Sequence, residues 1–517
     1  MRKYAVALTF LLVVSGCGGS SDTATPVTTV APVATQAPTT TAVPTTTVAA
    51  TSTAVSTTTV APTTTTASTT TATPTTTVAP TTTTAAPTTT TAAPTTTTAA
   101  PATTTAAPAT VWPPRAVLPT PDFGVPANYG AFKYQYQDAF KAAVDSEFTA
   151  MGAYKSGMAV AVFTDGFLWT YAVGDASATA PMTTSTPTLI RSTSKTVLSA
   201  LILDLVEDGQ FQLTDSLESV LSAHPDYSLL DQTKINVAAT VHDLLSMRSG
   251  IRPWGGPTGA TNPDLLWVVM KPSWKPVDTL GLIQDPWVEP GEYEYSDSNS
   301  YLLGMIAELH NGKALPVLYR ERFFDPLGLD AVLLPDEPVP EGTARPYTDL
   351  DYWGGSGFGD MIELDALLYG NSPDTWYEQD ARLSWASAGI TSTPANIAQW
   401  GYELFSQNGS ALSEESRSVL LDSFNDEMTP LGGILQQYGY FVAKRSLPLD
   451  DGTSLSVVGH PGGGAGYTSE FLYSPRLDIS ISILANSDLR TARREGGCSE
   501  YGTGICIAWE LFKAYAE

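Results

Sequence analysis

Ser192-Thr193-Ser194-Lys195 opens the strongest helical pattern in the chain, and its reading decides the fold. The quartet lies in Thr188-Leu-Ile-Arg-Ser-Thr-Ser-Lys-Thr196, which runs on into Leu203-Asp-Leu-Val-Glu-Asp-Gly-Gln-Phe-Gln-Leu-Thr-Asp215. From Thr196 onward, Val197, Leu198, Leu201, Ile202, Leu205 and Val206 form one wide apolar face, with Gly209 as the expected stop. Three residues span nearly one helical turn, so Ser192 and Lys195 share a face. A lysine buried beside a serine gives up its proton more readily, because desolvation penalises the charged amine. It can then take the hydroxyl proton and leave a nucleophile. A serine at a helix start also lies among backbone N–H groups able to hold an oxyanion. A lone Ser-x-x-Lys also arises by chance, so the surrounding residues carry the weight.

Four further segments follow in order. They are Thr240-Val-His-Asp-Leu-Leu-Ser-Met-Arg-Ser-Gly-Ile251, then Pro290-Gly-Glu-Tyr-Glu-Tyr-Ser-Asp297 with Tyr301-Leu-Leu-Gly304, then Ser387-Ala-Gly-Ile-Thr-Ser-Thr393, and last Val458-Gly-His-Pro-Gly-Gly-Gly-Ala-Gly-Tyr467. Together with the nucleophile segment they resemble the serine β-lactamase and penicillin-binding-protein superfamily, in particular its class C-like branch. The resemblance covers about residues 130–515. It implies Ser192 as the acylated nucleophile, Lys195 as its proton acceptor or electrostatic partner, and Tyr295 as the second member of the acid/base pair. By position, His460, Gly462, Gly463 and Asp297 are implied at the substrate-binding and oxyanion wall, with the N–H groups of Ser192 and Gly463 as the oxyanion hole. His242 and Ser249 read as packing residues, and Asp215 as a cap.

Three departures bear on the substrate. Asp297 stands where the family has Asn, and an ionised carboxylate only accepts hydrogen bonds. His460 stands where lactamases have Lys, and its charge is not assured at neutral pH. Pro461 has no N–H and fits only an edge or irregular position in a strand. These departures weaken a dedicated β-lactamase and leave an esterase, an amidase or a D-amino-acid or cell-wall peptidase open. Alternatives are a true β-lactamase, or a non-catalytic peptidoglycan- or envelope-binding protein on the same fold. The substrate is expected to be a small molecule or a cell-wall peptide, and the mechanism calls for no metal or organic cofactor.

The expected fold class is α/β of the α+β type: an antiparallel sheet built from both termini and flanked by helices, with a mostly helical inserted lobe. A helix is expected over Tyr134–Met151. Strands are expected at Gly157–Thr164 and Leu168–Val173 around the turn signal Asp165-Gly166, and later at Leu455–Val458, Ser469–Tyr473 and Ile479–Ala485. A terminal helix is expected over Ile507–Tyr515. The acidic stretch 349–365 is expected near the pocket entrance.

The first 118 residues read differently. Arg2 and Lys3 precede an apolar run that ends in Val14-Ser15-Gly16-Cys17, which resembles a bacterial lipobox. Residues 1–17 are therefore read as a lipoprotein signal with Cys17 as the lipidated residue, and residues 18–118 as a Thr/Pro/Ala-rich stalk with nothing to bury. Residues 119–517 form the expected hydrolase domain, exported and lipid-anchored, facing the envelope. That part holds 23 of the 26 cations and 51 of the 52 acids, a net charge of −28, which repels nucleic acid. Cys498 and Cys506, eight apart, read as a local disulfide. The four histidines form no metal-binding pattern.

Overall fold

Asp165-Gly166 turns the chain back on itself as its sequence predicts, pairing Gly157–Thr164 (β1) with Phe167–Ser177 (β2) in antiparallel register from Gly157↔Gly174 to Thr164↔Phe167. The computed structural model describes residues 113, 117–126, 128–151, 156–255, 264–349, 361–363, 373–431, 434–464, 466–487 and 502–516, all in one structural unit. The large sheet has seven further strands in chain order: β3 (Ala180–Pro181), β4 (Met428–Leu431), β5 (Ile434–Tyr438), β6 (Ala443–Pro448), β7 (Ser454–Gly464), β8 (Tyr467–Ser474) and β9 (Ile479–Ala485). Their spatial order is β3-β2-β1-β9-β8-β7-β6-β5-β4, and every pairing is antiparallel. Strands from the two ends of the folded region therefore meet at β1 and β9, where Met158 faces Ala485.

Alternation along the strands makes two cores. On one face Val160, Val162, Leu472, Ile481 and Ile483 pack with helices α1 (Tyr134–Ala150) and α5 (Thr503–Ala516), through Phe140, Val144, Leu511 and Phe512. On the other, Ala161, Phe163, Phe471, Tyr473 and Leu484 join the core of the helical lobe. That lobe lies between β3 and β4 in sequence and carries α2 (Lys195–Glu207), α3 (Asp297–Asn311) and α4 (Pro394–Phe405). Helix α2 is held by its apolar face: Val197, Leu198, Leu201, Ile202 and Leu205 are at most 1% exposed. Each such burial contributes about 1.5–3 kcal/mol.

The sequence predicts β8 and β9 to within a residue or two, but the two-residue β3 and the three strands β4 to β6 are not among the expected ones. Pro430, the Gln436-Gln437 pair and Lys444-Arg445 mask their alternation. Strand β7 runs on through Pro461 to Gly464, beyond the expected end. Its partner β6 stops at the Ala443↔Gly459 pair, so Pro461 faces only Glu470 of β8. Proline is thus tolerated at a local edge, as its missing N–H requires. Residues 350–360, most of the acidic stretch read near the entrance, lie outside the described residues, as do Cys17, Cys498 and residues 18–112.

Candidate active site

The nucleophile turn is a short 3-10 segment, Arg191–Ser194, that feeds directly into α2. Arg191 has φ +51°, a left-handed backbone that a non-glycine residue adopts only when its surroundings enforce it. Those surroundings are specific. Arg191 Nη1 donates to Ser384 Oγ (3.3 Å), and its guanidinium lies 5.3 Å from the Tyr467 ring centroid. Thr193 Oγ1 donates to His460 O (2.9 Å), and Ser469 Oγ donates to Ile190 O (2.6 Å). The turn is thereby fastened to β7 on one side and β8 on the other. Gly462 makes this approach possible. A Cβ there would fall 2.4 Å from Ile190 O and 3.0 Å from Arg191 Cβ, so any side chain would push the nucleophile turn away.

Lys195 is fully buried, and its Nζ lies 3.1 Å from Ser192 Oγ and 3.0 Å from Ser387 O. A third neighbour is Asp297, whose Oδ1 is 2.6 Å from Nζ, at the first turn of α3. This is a contact of charges and not a directed hydrogen bond, because Asp297 Oδ1 has no hydrogen-bond partner. The Tyr295 ring completes the group, with its centroid 5.0 Å from Nζ. Tyr295 is carried in by the segment before α3, which is pinned to the Ser246–Ile251 turn: Glu294 N donates to Met247 O (2.9 Å), Gly291 N to Arg248 O (2.9 Å), and Ser249 Oγ to Asn299 Oδ1 (2.6 Å). Ser249 is thus a packing residue as read, and His242 hydrogen-bonds Tyr440.

Two of the sequence expectations change. Asp297 was placed on the substrate wall, but its charge faces Lys195. His460 was also placed there, yet it is fully buried and both ring nitrogens are engaged: Nδ1 with Pro461 O (2.6 Å) and Nε2 with Tyr438 Oη (3.0 Å). A carbonyl only accepts, which assigns the ring proton to Nδ1 and makes the Tyr438 phenol the donor to Nε2. The imidazole is therefore fastened within the wall through both ring nitrogens. Gly462 and Gly463 do line the open space: with Tyr295, Pro461, Thr468 and Ser469 they border a cleft.

Burial first, then the nearby Lys195 charge and more weakly Arg445, hold the His460 pKa well below its ordinary value of 6.5, against an opposing pull from Pro461 O. Below about pH 6.5 the unfolded chain takes up this proton while the folded chain does not, so stability present at neutral pH is lost on acidification. Urea unfolding at pH 7.5, 6.5 and 5.5 is expected to show wild-type stability falling faster than that of His460→Gln, by up to about 1.4 kcal/mol per pH unit. Parallel slopes for the two proteins would contradict this.

The sequence model of the beta-lactamase family matches residues 144–497, more than half of the chain. The chain belongs to the beta-lactamase family. In fold it is similar to the D-amino acid amidase of Ochrobactrum anthropi SV3 complexed with D-phenylalanine, at 20% identity and a TM-score of 0.57, covering 74% of this chain and 99% of that one. It is also similar to the octameric penicillin-binding protein homologue from Pyrococcus abyssi, at 20% identity and a TM-score of 0.53, covering 72% and 76%. In sequence it is similar to a D-aminopeptidase of Brucella anthropi, 30% identical over 187 residues, which is 35% of this chain and 33% of that protein. The match spans about a third of that relative's length.

Within this beta-lactamase-family site, sequence reasoning missed Tyr438, Arg445 and Glu470. The last two form a buried ion pair, Arg445 Nη1 to Glu470 Oε1 at 2.6 Å. Arg445 and Glu470 lie on the two strands flanking β7 and Tyr438 one strand further out, on β5, and only the pairing register brings them together. Cys506 is buried and disulfide-bonded; its expected partner Cys498 lies outside the described residues. Among the described residues, no helix is long and apolar enough to cross a membrane.

Proposed function

We propose that this protein is a serine hydrolase that opens amide or ester bonds of D-amino-acid derivatives and small peptides through an acyl-enzyme on Ser192. The observation that carries the reading is the buried Lys195 Nζ, 3.1 Å from Ser192 Oγ and beside both Asp297 and the Tyr295 ring. Ser192 Oγ bonds to the acyl carbon, its proton passes to the Lys195–Tyr295 pair, and the leaving nitrogen or oxygen departs with that proton. Water then enters by the same route in reverse and releases the acid. Lys195 is the charged partner that Asp297 holds in place, and Tyr295 is the group placed to exchange protons with the cleft. Backbone N–H groups of Ser192 and Gly463 serve as oxyanion donors.

Support for D-amino-acid substrates comes from the names of the relatives, a D-aminopeptidase and a D-amino acid amidase. The neutral, fully engaged His460 favours these over β-lactams, since this position offers no cation for a lactam's carboxylate. We further propose that the chain is exported, lipidated at Cys17 and carried on the 18–118 stalk as a domain spanning residues 119–517. A disulfide-bonded Cys506 fits an oxidising compartment.

The full chain is expected to hydrolyse D-phenylalanine amide or D-Ala-D-Ala faster than the L-forms, by roughly 10²-fold or more in kcat/KM. Turnover of nitrocefin that exceeds turnover of every amide, peptide and ester tested would replace this reading with a true β-lactamase.

A further inference from the structure

Residues 384–390 hold the nucleophile turn directly. Arg191 Nη1 donates to Ser384 Oγ (3.3 Å), Lys195 Nζ to Ser387 O (3.0 Å), Ile190 N to Ile390 O (2.9 Å) and Ile390 N to Ser194 Oγ (3.2 Å). Between the first two of these contacts stands Trp385, where the helix Pro373–Ala388 breaks: its φ is +27° and its ψ −124°. A bulky residue takes a left-handed φ only where its surroundings impose it. Ser387 lies in the last turn of that helix, whose carbonyls have no partner within it. The direction of its carbonyl therefore follows from the break two residues before it.

The indole imposes the break. Trp385 is buried, its Nε1 donates to Asp336 Oδ2 (2.9 Å), and its ring packs against Trp274 and Tyr301, with centroids 6.1 and 5.6 Å away. Against it also lies Gly304 of α3, where a Cβ would fall 2.9 Å from both Cη2 and Cζ3 of the indole. Glycine in a helix interior is unfavourable, and here it makes room for that ring. The Tyr301-Leu-Leu-Gly304 segment thus supplies both a packing face and a seat for Trp385. The backbone is fixed on either side. Tyr301 Oη and Thr279 Oγ1 each donate to Arg382 O (2.9 Å), and Gly389 N donates to Trp385 O (2.8 Å). A Cβ on Gly389 would fall 2.5 Å from Leu334 O, so the chain leaves the break along one narrow path.

We infer that Trp385 is a positioning residue for the Ser192–Lys195 pair: its indole, seated between Asp336 and Gly304, keeps the backbone break that sets Ser387 O on Lys195 Nζ. Trp385 touches none of the reacting atoms and acts through Lys195. The inference rests on the hydrolase reading for its effect on turnover, while the geometry it describes does not need turnover.

The test compares the full chain with Trp385→Phe, Gly304→Ala and the double variant, on p-nitrophenyl acetate and D-phenylalanine amide. Phenylalanine lacks the Nε1 donor and has no counterpart of Cη2 or Cζ3. Trp385→Phe is expected to lower kcat by about 10–100-fold and to leave KM within about twofold, because a displaced proton-transfer group costs rate and not binding. Gly304→Ala presses on the same ring and is expected to lower kcat about tenfold, yet to cost less than about twofold when added to Trp385→Phe. Wild-type kcat in Trp385→Phe, a loss confined to KM, or single losses that multiply in the double variant would overturn the role. Gly304→Ala removes no contact and carries the test if Trp385→Phe does not fold: wild-type kcat there would overturn it equally. Crystal structures of the wild type and a folded variant give a reading without turnover. Ser387 O is expected to leave hydrogen-bond distance of Lys195 Nζ in the variant, and a retained contact would overturn the inference. A wild-type chain inert to both substrates and to fluorophosphonate sinks the hydrolase reading alone, and the crystal structures then decide the part played by Trp385.

Discussion

Ser192→Ala is expected to lower kcat for amide and ester substrates by roughly 10⁴–10⁶-fold and to abolish fluorophosphonate labelling. Among the described residues the substitution removes one hydrogen bond, that from Lys195, while Lys195 keeps Ser387 O and Asp297. The stability change is therefore about 1 kcal/mol or less, and the thermal midpoint moves little. The contrast between the two measurements is the point. A fold that melts as before with no turnover identifies Ser192 as the nucleophile. Turnover at the wild-type rate would remove it from the chemistry, and with it the acyl-enzyme. Mass spectrometry of the intact chain adds a direct reading: a single adduct on the wild type and none on the variant.

The nucleophile was legible because its signal is local. Ser192 and Lys195 lie one turn apart at the head of an apolar helix, and the flanking Leu-Val-Glu and Leu-x-Asp residues belong to the same continuous segment. The sheet was legible where strands alternate cleanly, as in β1, β8 and β9, and the meeting of both ends at β1 and β9 follows from those elements. Strands β4 to β6 were not, because their inward positions hold Gln436 and Arg445, polar groups that are tolerated only because they bond each other and Glu470. The same hidden pairing explains why the Arg445–Glu470 ion pair was not foreseen. Arg445 and Glu470 are 25 residues apart and meet only by reaching across β7.

His460 shows a different failure. Its position in the family's strand motif was readable, but its environment was not. Tyr438, which occupies Nε2, lies on β5, a strand with no clear signal. Position alone therefore suggested a residue facing substrate, and the structure gives one facing the protein. Asp297 follows the same logic. Its residue type signalled a departure from the family pattern, yet the partner that explains the acid, Lys195, becomes visible only when α3 packs beside α2.

The Lys195–Asp297 pair carries the second large expectation. Both side chains are nearly dry, at 0% and 8% exposure, so removing one charge strands the other. Lys195→Met is expected to cost about 3–5 kcal/mol of stability, since an uncompensated buried carboxylate remains. It should also lower kcat by roughly 10²–10⁴-fold, as loss of a proton-transfer partner does. Taken alone, that loss could be assigned to damage. The double variant Lys195→Met/Asp297→Asn separates the two effects: Asn is neutral, so most of the lost stability should return, measured by urea unfolding. Activity should not return, because Tyr295 then lacks the neighbouring cation that supports its exchange of the serine proton. A double variant that recovers both would make the pair a structural device and leave Tyr295 alone to serve Ser192. One that recovers stability only fixes Lys195 in the reaction itself, with Asp297 as the anion that holds its charge beside the nucleophile.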